Sequence, residues 1–263
     1  MQKLKITILS ENIAGRWCRA EHGLSFLVEA DRKILFDTGS SPDLIEYNSR
    51  ILGINLSEIE TIVLSHGHDD HSGGLFLFNG QQIICHPDSL IPRYRKSNST
   101  PLGIKWSEDE IRSKFQLQLS VLPLKISNQI YFLGEIPRVT NFESKSTAFR
   151  KKDGSNDFVM DDSGLAVVTD KGLVVISGCA HSGICNMVLH AKSITGIDMV
   201  HAVIGGLHLQ NDDEITRKTI EWLKSEKVEQ VIPGHCTGFA AQASIFRSYN
   251  FAQVKTGNVI EMG

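Results

Sequence analysis

The chain has 263 residues, 41% hydrophobic and 22% charged, a composition typical of a globular protein with a large core. Its net charge of −3 and pI near 6.4 provide no long-range attraction for nucleic acid, so we expect no polynucleotide partner. No run approaches the ~18 apolar residues of a membrane span, and the first residues lead directly into a strand pattern, which predicts a cytoplasmic protein without membrane attachment.

The first 65 residues alternate short β-rich runs with turns. Runs rich in Ile, Val, Leu and Phe that are bounded by Gly, Asp and Ser predict β-strands. These runs cover residues 4–9, 24–29, 33–36 and 61–64. Ser41 followed by Pro42 predicts the start of a helix, because serine is a preferred cap and proline suits the first helical position. The N-terminal part is therefore predicted to be mixed α/β.

Between residues 89 and 160, prolines interrupt polar stretches and the periodicity weakens. We interpret this segment as a loop-rich insertion with a few short strands, within a single domain that spans residues 1–263. The basic residues at 93–96 are expected to form a solvated surface.

The pattern sharpens again toward the C-terminus. Residues 165–169 and 173–177 are β-rich and joined by Asp-Lys-Gly, which predicts a hairpin. Further strands are predicted at residues 200–204 and 230–232. Helices are predicted to start at Ser182-Gly183 and at Asn211, where Glu214 three residues later resembles a capping box.

Several predicted strands end in the same way, with an apolar run, then glycine or serine, then a histidine. The histidines are His66, His181, His208 and His235. Ligands of layered α/β folds gather where loops leave the carboxyl ends of strands, so these side chains are expected to converge.

The segment that contains His66, His68, Asp70 and His71 is the strongest signal in the chain. In extended backbone, His66 and His68 leave on the same side and can share one cation. Asp70 and His71 lie at a turn and can reach a second cation nearby. Imidazoles with a carboxylate suit zinc best, and manganese or iron also fit, so we expect two divalent metal ions.

With these residues the sequence resembles the metallo-β-lactamase superfamily, and within it the metal-dependent hydrolases similar to dihydropterin-linked aminobenzene ribofuranosyl-phosphate synthase. The motifs are LFDTG at 35–39, SHGHDDHSGG at 65–74, SGCAH at 177–181, GGLHL at 205–209 and PGHCTG at 233–238. The resemblance implies a four-layer αββα sandwich. It also implies one metal on His66, His68 and His181, and a second on Asp70, His71 and His235.

One position departs from the family pattern, because Cys179 follows Gly178 where a metal-bridging aspartate is typical. Cys179 can be a thiolate ligand, a thiol behind the ligands or a packed residue. We expect no direct ligation, since His181 already supplies a ligand from this strand end. The five cysteines lack CxxC spacing and are expected to be reduced, and Cys179 and Cys236 stand out because each lies close to a candidate histidine.

Two further residues are assigned roles. The resemblance places Asp37 beneath the metal loop, where a carboxylate can orient a ligand histidine. His208 completes neither metal, so we consider a proton-donating or substrate-contacting role, and count it with Asp70 among the candidate catalytic residues. The histidines without comparable context are expected to be structural or exposed. They are His22, His86, His190 and His201.

The predicted function is that of a hydrolase in which a metal-bound hydroxide attacks a small ester-type substrate: a phosphoester, phosphodiester, lactone or thioester. Arg138 and the basic residues at 93–96 mildly favour an anionic small-molecule substrate. One alternative is a transferase that condenses a pterin precursor with an aminobenzene ribofuranosyl phosphate, as the family resemblance implies. Another is a metal-binding sensor without turnover. The sequence indicates no oligomeric state.

Overall fold

The computed structural model describes residues 3–263 of the chain. Two large sheets and one small sheet make up its β-structure. The strands of the first large sheet are β1 (Leu4–Ser10), β2 (Ser25–Glu29), β3 (Lys33–Phe36), β4 (Thr61–Val63), β5 (Gln82–Cys85), β7 (Gln116–Leu119) and β16 (Val259–Met262). Their spatial order is β16-β1-β2-β3-β4-β5-β7. All the strands predicted in the first 65 residues belong to this sheet.

The second large sheet comes mainly from the C-terminal half. Its strands are β8 (Leu124–Lys125), β9 (Ile130–Phe132), β12 (Gly164–Thr169), β13 (Gly172–Ser177), β14 (Val200–Gly206) and β15 (Gln230–Gly234), in the order β15-β14-β13-β12-β9-β8. The small sheet contains β6 (Arg93–Arg95), β10 (Phe149–Lys151) and β11 (Asn156–Asp157). Strands between residues 89 and 160 thus contribute to all three sheets.

The helices flank the sheets. They are α1 (Pro42–Ile51), α2 (Asp69–Ser72), α3 (Glu108–Lys114), α4 (Ile184–Thr195), α5 (Glu214–Ser225) and α6 (Phe239–Tyr249). Helices α1 and α4 begin where the sequence predicts. The predicted cap of α5 is wrong: Asp213, not Asn211, accepts a hydrogen bond from the Thr216 amide. No helix within residues 3–263 is long and apolar enough to cross a bilayer.

Three apolar clusters define a four-layer αββα sandwich. The middle cluster joins the inner faces of the large sheets, with Phe26 and Phe36 from one and Phe132 from the other. A second cluster packs α4, α5 and α6 on the outer face of the second sheet. The third packs α1 and α3 on the outer face of the first sheet. The strands alternate apolar side chains between two buried faces, which explains their nearly continuous hydrophobic sequence.

The strand directions bring the predicted histidine loops to one edge of the sandwich. Strands β3 and β4 are parallel, and so are β13, β14 and β15. Strand β1 runs in the same direction as β3, because both are antiparallel to β2. The carboxyl ends of these strands therefore supply the loops of a common rim.

The basic residues at 93–96 do not form a uniform solvated surface. Arg93 is 1% exposed, and its guanidinium Nη2 donates to Asp161 Oδ1 at 2.8 Å. Its Nε also lies 3.5 Å from Asp157 Oδ2. Lys96 donates to the Thr147 carbonyl, whereas the Arg95 side chain stays exposed. A buried arginine of this kind requires carboxylate partners distant in sequence, which a local pattern does not indicate.

Candidate metal centre

The loop after β4 carries most of the candidate ligands and packs tightly against its neighbours. A Cβ on Gly67 would lie 2.0 Å from the Ser89 carbonyl oxygen, and one on Gly73 would lie 1.9 Å from that of Ser40. Only glycine allows this close approach. The Gly67 amide also donates to Asp161 Oδ2 at 2.8 Å, so Asp161 holds both this loop and Arg93.

His66, His68 and His181 form a first ligand set. Each brings a ring nitrogen within 4.8 Å of the others. His66 Nε2 lies 2.9 Å from His68 Nδ1, and the remaining nitrogen of His66 contacts Ser65 Oγ. The buried Nε2 atoms of His68 and His181 have no hydrogen-bond partner among the described residues. Buried nitrogens without partners fit a cation that supplies the missing contact.

Asp70, His71 and His235 form a second ligand set. The Nε2 atoms of His71 and His235 are 3.0 Å apart. Asp70 Oδ2 lies 3.4 Å from the His235 nitrogen and 3.9 Å from the His71 nitrogen. The structure therefore brings together all six residues that the family resemblance implies as ligands, and the two groups adjoin each other, since His66 and His71 also lie within 4.8 Å through their ring nitrogens.

Asp37 contacts the second ligand set through His71. Its Oδ2 lies 2.7 Å from His71 Nδ1 and accepts from Ser65 Oγ, while Oδ1 accepts from the Ser65 amide. With its Nδ1 proton directed to Asp37, a neutral His71 turns the Nε2 lone pair toward His235. His235 in turn directs Nδ1 to Asn12 Oδ1, at 3.1 Å. Two nitrogen lone pairs then face each other, an arrangement that needs positive charge between them.

The charges of the centre agree with cation binding. Burial favours the neutral form of His71, but the Asp70 and Asp37 carboxylates outweigh it and raise the pKa of His71 to about 9. Burial lowers the pKa of His68 to about 3 and that of His235 to about 4, which leaves their lone pairs free at neutral pH. A proton on His71 thus occupies a position that a metal cation can take, and metal binding would release it.

The backbone at the rim adopts the left-handed region at several residues that are not glycine. The φ angles are 57° at Asp37, 55° at Ala180, 51° at His208 and 46° at His235. Such conformations are sparsely populated for residues with a Cβ and cluster at functional sites. At the ends of β3, β14 and β15 they turn the chain sharply as it leaves the sheet.

The two ligand sets open into a cavity of about 750 Å³. Among the residues that line it, Arg95 is the single lysine or arginine, and no described residue pairs with its guanidinium. His208 also lines this cavity, with its ring centroid 4.3 Å from that of His181. A side pocket of about 280 Å³ continues past His181 and His208 and has Phe142 and Phe158 in its wall. His208 therefore faces the space where a substrate would lie.

His22 is the residue at this site that sequence reasoning missed. Its Nε2 lies 3.1 Å from Asp70 Oδ2, and its ring stacks on that of His235 with centroids 5.0 Å apart. Asn12 lies 3.4 Å from His22 Nδ1 and also contacts His235. The available signal was the strand direction, because Asn12 and His22 follow β1, whose carboxyl end lies at the same rim. The other histidines without predicted roles bond elsewhere. They are His86, His190 and His201.

We expect His22→Ala to weaken cation binding at the second set about 10-fold, because such supporting contacts are worth roughly 10–100-fold in metal affinity. His22→Gln, whose amide can still donate to Asp70, should retain more of the affinity. Competition with a chelator of known affinity measures both variants. His190→Ala is the matched control, since His190 Nε2 bonds to the Leu133 carbonyl instead. Equal affinities in the His22→Ala variant and the unmodified protein would rule out this support.

Cys179 is buried beside the second set, with its Sγ 3.2 Å from His71 Nε2. Asp162, a residue without a predicted role, accepts a hydrogen bond from the Ser182 amide at 2.9 Å and so holds the loop that carries His181. Consecutive buried aspartates, Asp161 and Asp162, therefore support the loops of different ligand histidines.

Comparisons with known proteins agree with this architecture. A profile of the metallo-β-lactamase superfamily matches residues 19–86. A Methanocaldococcus jannaschii protein named 7,8-dihydropterin-6-methyl-4-(β-D-ribofuranosyl)-aminobenzene-5'-phosphate synthase is 35% identical, over 99% of this chain and 97% of its own length. A solved structure named as a metal-dependent hydrolase of the β-lactamase superfamily has a TM-score of 0.88 and 28% identity, with 99% of each chain covered. A diphosphatase of the PhnP family shares the fold, with a TM-score of 0.55 and 13% identity.

Proposed function

The chain belongs to the metallo-β-lactamase superfamily, in the branch of the aminobenzene-phosphate synthase relative, and on this premise we propose that it is a metal-dependent hydrolase of small anionic esters. The observation that carries the proposal is the pair of adjoining ligand sets beside an open cavity. Such a pair suits two divalent cations, and zinc fits the imidazole-rich donors best.

His66, His68 and His181 would hold one cation, and Asp70, His71 and His235 the other. When bound, the cations supply an activated water and neutralise negative charge that develops on the substrate. Asp37 keeps the His71 ring oriented through the contact at Nδ1. His208 faces the cavity and is the group we assign to donate a proton to the leaving oxygen of the substrate.

Arg95 supports an anionic substrate. Of the arginines considered on sequence grounds, Arg93 is buried in ion pairs and Arg138 donates to the carbonyls of Phe158 and Val159. The Arg95 guanidinium has no such partner within residues 3–263 and lines the cavity beside the ligand sets. Arginine forms two-point hydrogen bonds with phosphate and carboxylate groups, so we assign Arg95 to the anionic group of the substrate.

Arg95→Gln is therefore expected to raise KM for a phosphate ester about 10-fold, as expected for loss of one charge-assisted hydrogen bond at a partly exposed site. The kcat should change less, because Arg95 would bind the substrate and its transition state alike. Steady-state kinetics with an uncharged ester serve as the internal control. Arg112→Gln, on the exposed face of α3, is the matched protein control. A KM that rises equally for the uncharged ester would contradict the assignment.

The function itself is tested with metal-reconstituted protein and a panel of a phosphomonoester, a phosphodiester, a lactone and a thioester. We expect turnover of phosphate esters, with loss of turnover in Asp70→Ala. His208→Ala should lower kcat by about 100-fold, which is typical of a lost general acid, with metal content unchanged. Protein that holds both metals and hydrolyses none of these compounds would overturn the hydrolase proposal.

A second function, synthesis by condensation, is favoured by the full-length similarity to the named synthase. The same cavity would then bring a pterin precursor and an aminobenzene ribofuranosyl phosphate together. The apolar wall of the side pocket could pack against an aromatic ring of one of these compounds. Incubation with both compounds, followed by mass spectrometry of the product, separates the two functions. A condensed product without hydrolysis of the ester panel would favour the synthase.

A further inference from the structure

Two thiols lie in the cavity and belong to neither ligand set. Cys179 follows β13, and Cys236 follows His235 at the end of β15. Both line the cavity, and neither is in a disulfide. The other cysteines are outside it: Cys85 is buried in β5, Cys185 is buried in α4, and Cys18 is partly exposed near the N-terminus. Two of the five cysteines therefore lie beside the candidate metal ligands.

The side chains of Cys179, Cys236 and His235 form a compact donor group. Their ligand atoms, two sulfurs and one ring nitrogen, all lie within 4.8 Å of one another. Cys236 Sγ is 3.5 Å from the Cys179 carbonyl oxygen, and Cys179 Sγ is 3.2 Å from His71 Nε2. Cys179 Sγ also lies within 4.8 Å of a ring nitrogen of His66, so the sulfur pair adjoins the second ligand set and reaches one histidine of the first.

Strand β14 leaves room for these sulfurs by having a glycine beside them. A Cβ on Gly206 would lie 2.3 Å from the Gly178 carbonyl oxygen, 2.6 Å from Cys236 Sγ and 3.2 Å from Cys179 Cα. The φ angle of Gly206 is not positive, so the glycine is required by this close approach and not by backbone conformation. A larger residue here would collide with both the Gly178 backbone and the Cys236 sulfur.

We propose that Cys179, Cys236 and His235 form a binding site for a soft metal cation such as Cd²⁺ or Cu⁺, next to the second ligand set. Thiolates with an imidazole prefer such cations, whereas the carboxylate of Asp70 prefers harder ones. On sequence alone Cys179 is not expected to be a ligand. The second thiol changes this inference, because two sulfurs can share a cation without removing His181 from the first set.

The site has a consequence for metal selectivity. His235 belongs both to the sulfur group and to the second ligand set, so a cation held by the sulfurs competes with the cation of that set for the same imidazole. Soft metals would therefore displace the second cation and leave the first in place. This expected displacement does not depend on which reaction the protein catalyses.

The test is a titration of the full-length, metal-free protein with Cd²⁺. The measured signal is the ultraviolet charge-transfer band of cadmium-bound thiolate. We expect the band in the unmodified protein, about half its intensity in Cys179→Ser and in Cys236→Ser, and none in the double variant. Cys18→Ser, which changes a partly exposed thiol outside the cavity, is the control and should keep the full band.

Cadmium-113 NMR of the unmodified protein gives a second measurement that does not depend on how the variants fold. A resonance in the thiolate range supports the site, and resonances only in the nitrogen and oxygen range overturn it. A band that persists in Cys236→Ser but disappears in Cys179→Ser would also overturn it, since one sulfur would then suffice. The same holds for a band that survives in the double variant.

Discussion

Asp70→Ala is expected to empty the second ligand set while the first set keeps its cation. Asp70 supplies a carboxylate beside the Nε2 atoms of His71 and His235, at 3.9 and 3.4 Å, whereas Asp37 contacts the opposite ring nitrogen of His71. Burial favours its neutral form, but His71, His22 and His235 outweigh this and hold its pKa well below the usual value, so Asp70 is anionic at neutral pH. Without that charge the set retains two imidazoles and no carboxylate, which bind a divalent cation weakly.

Elemental analysis after dialysis measures the metal content. We expect about two metals per chain in the unmodified protein and about one in Asp70→Ala, because one ligand set is lost. Asp69→Ala is the matched control, because the neighbouring Asp69 contacts no ligand nitrogen in the described structure. If Asp70→Ala retains both metals, Asp70 is not a ligand. If it loses both, the two sets do not bind independently.

Asp37→Ala is expected to have the largest effect on stability, a loss of about 3–5 kcal/mol in the free energy of unfolding, as is typical when one partner of a buried charged pair is removed. Asp37 is fully buried and accepts hydrogen bonds from both the amide and the hydroxyl of Ser65, besides its contact with His71. All these donors would lose their partner. The positive φ of residue 37 adds strain for alanine, since aspartate tolerates that region better.

Urea unfolding of metal-free protein measures this loss without contribution from bound cations. Asp37→Asn, which keeps the shape and the tolerance of positive φ, should lose less than Asp37→Ala. Asp43→Ala, at an exposed position in the first turn of α1, should change stability by no more than about 0.5 kcal/mol. Equal unfolding midpoints for Asp37→Ala and Asp43→Ala would remove Asp37 from its supporting role.

The strands and the ligand loops were predictable because both depend on local pattern, whereas the four-layer sandwich was implied by the family resemblance. Short β-rich runs gave the strands, and each candidate histidine stood at the end of such a run. Parallel order within each sheet places the loops of that sheet at one edge, and the packing of the two sheets then brings His66 to His181 and His235. Motif resemblance implied two ligand groups, and the side chains of each group lie close together, although the distances also place Cys179 near His66 and His71, and His22 near Asp70 and His235.

What could not be predicted depends on pairing between distant segments. His22 contacts Asp70 because β1 and β4 end at the same rim, and strand direction indicates this only once the order of strands in the sheet is known. Arg93 was predicted to lie on a solvated surface, but the fold brings Asp161 beside it and buries the pair. The start of α5 differed for a local reason, since Asn211 and Asp213 are both good caps and the chain uses the second.

The ligand sets draw on both large sheets, and this limits how the domain can be divided. His66, His68, Asp70 and His71 come from the half of the chain that forms the first sheet, and His181 and His235 from the half that forms the second. Neither half contains a complete set, so neither could bind metal as an independent module. Fusion, duplication or circular rearrangement of this chain would preserve the centre only where both halves are inherited together.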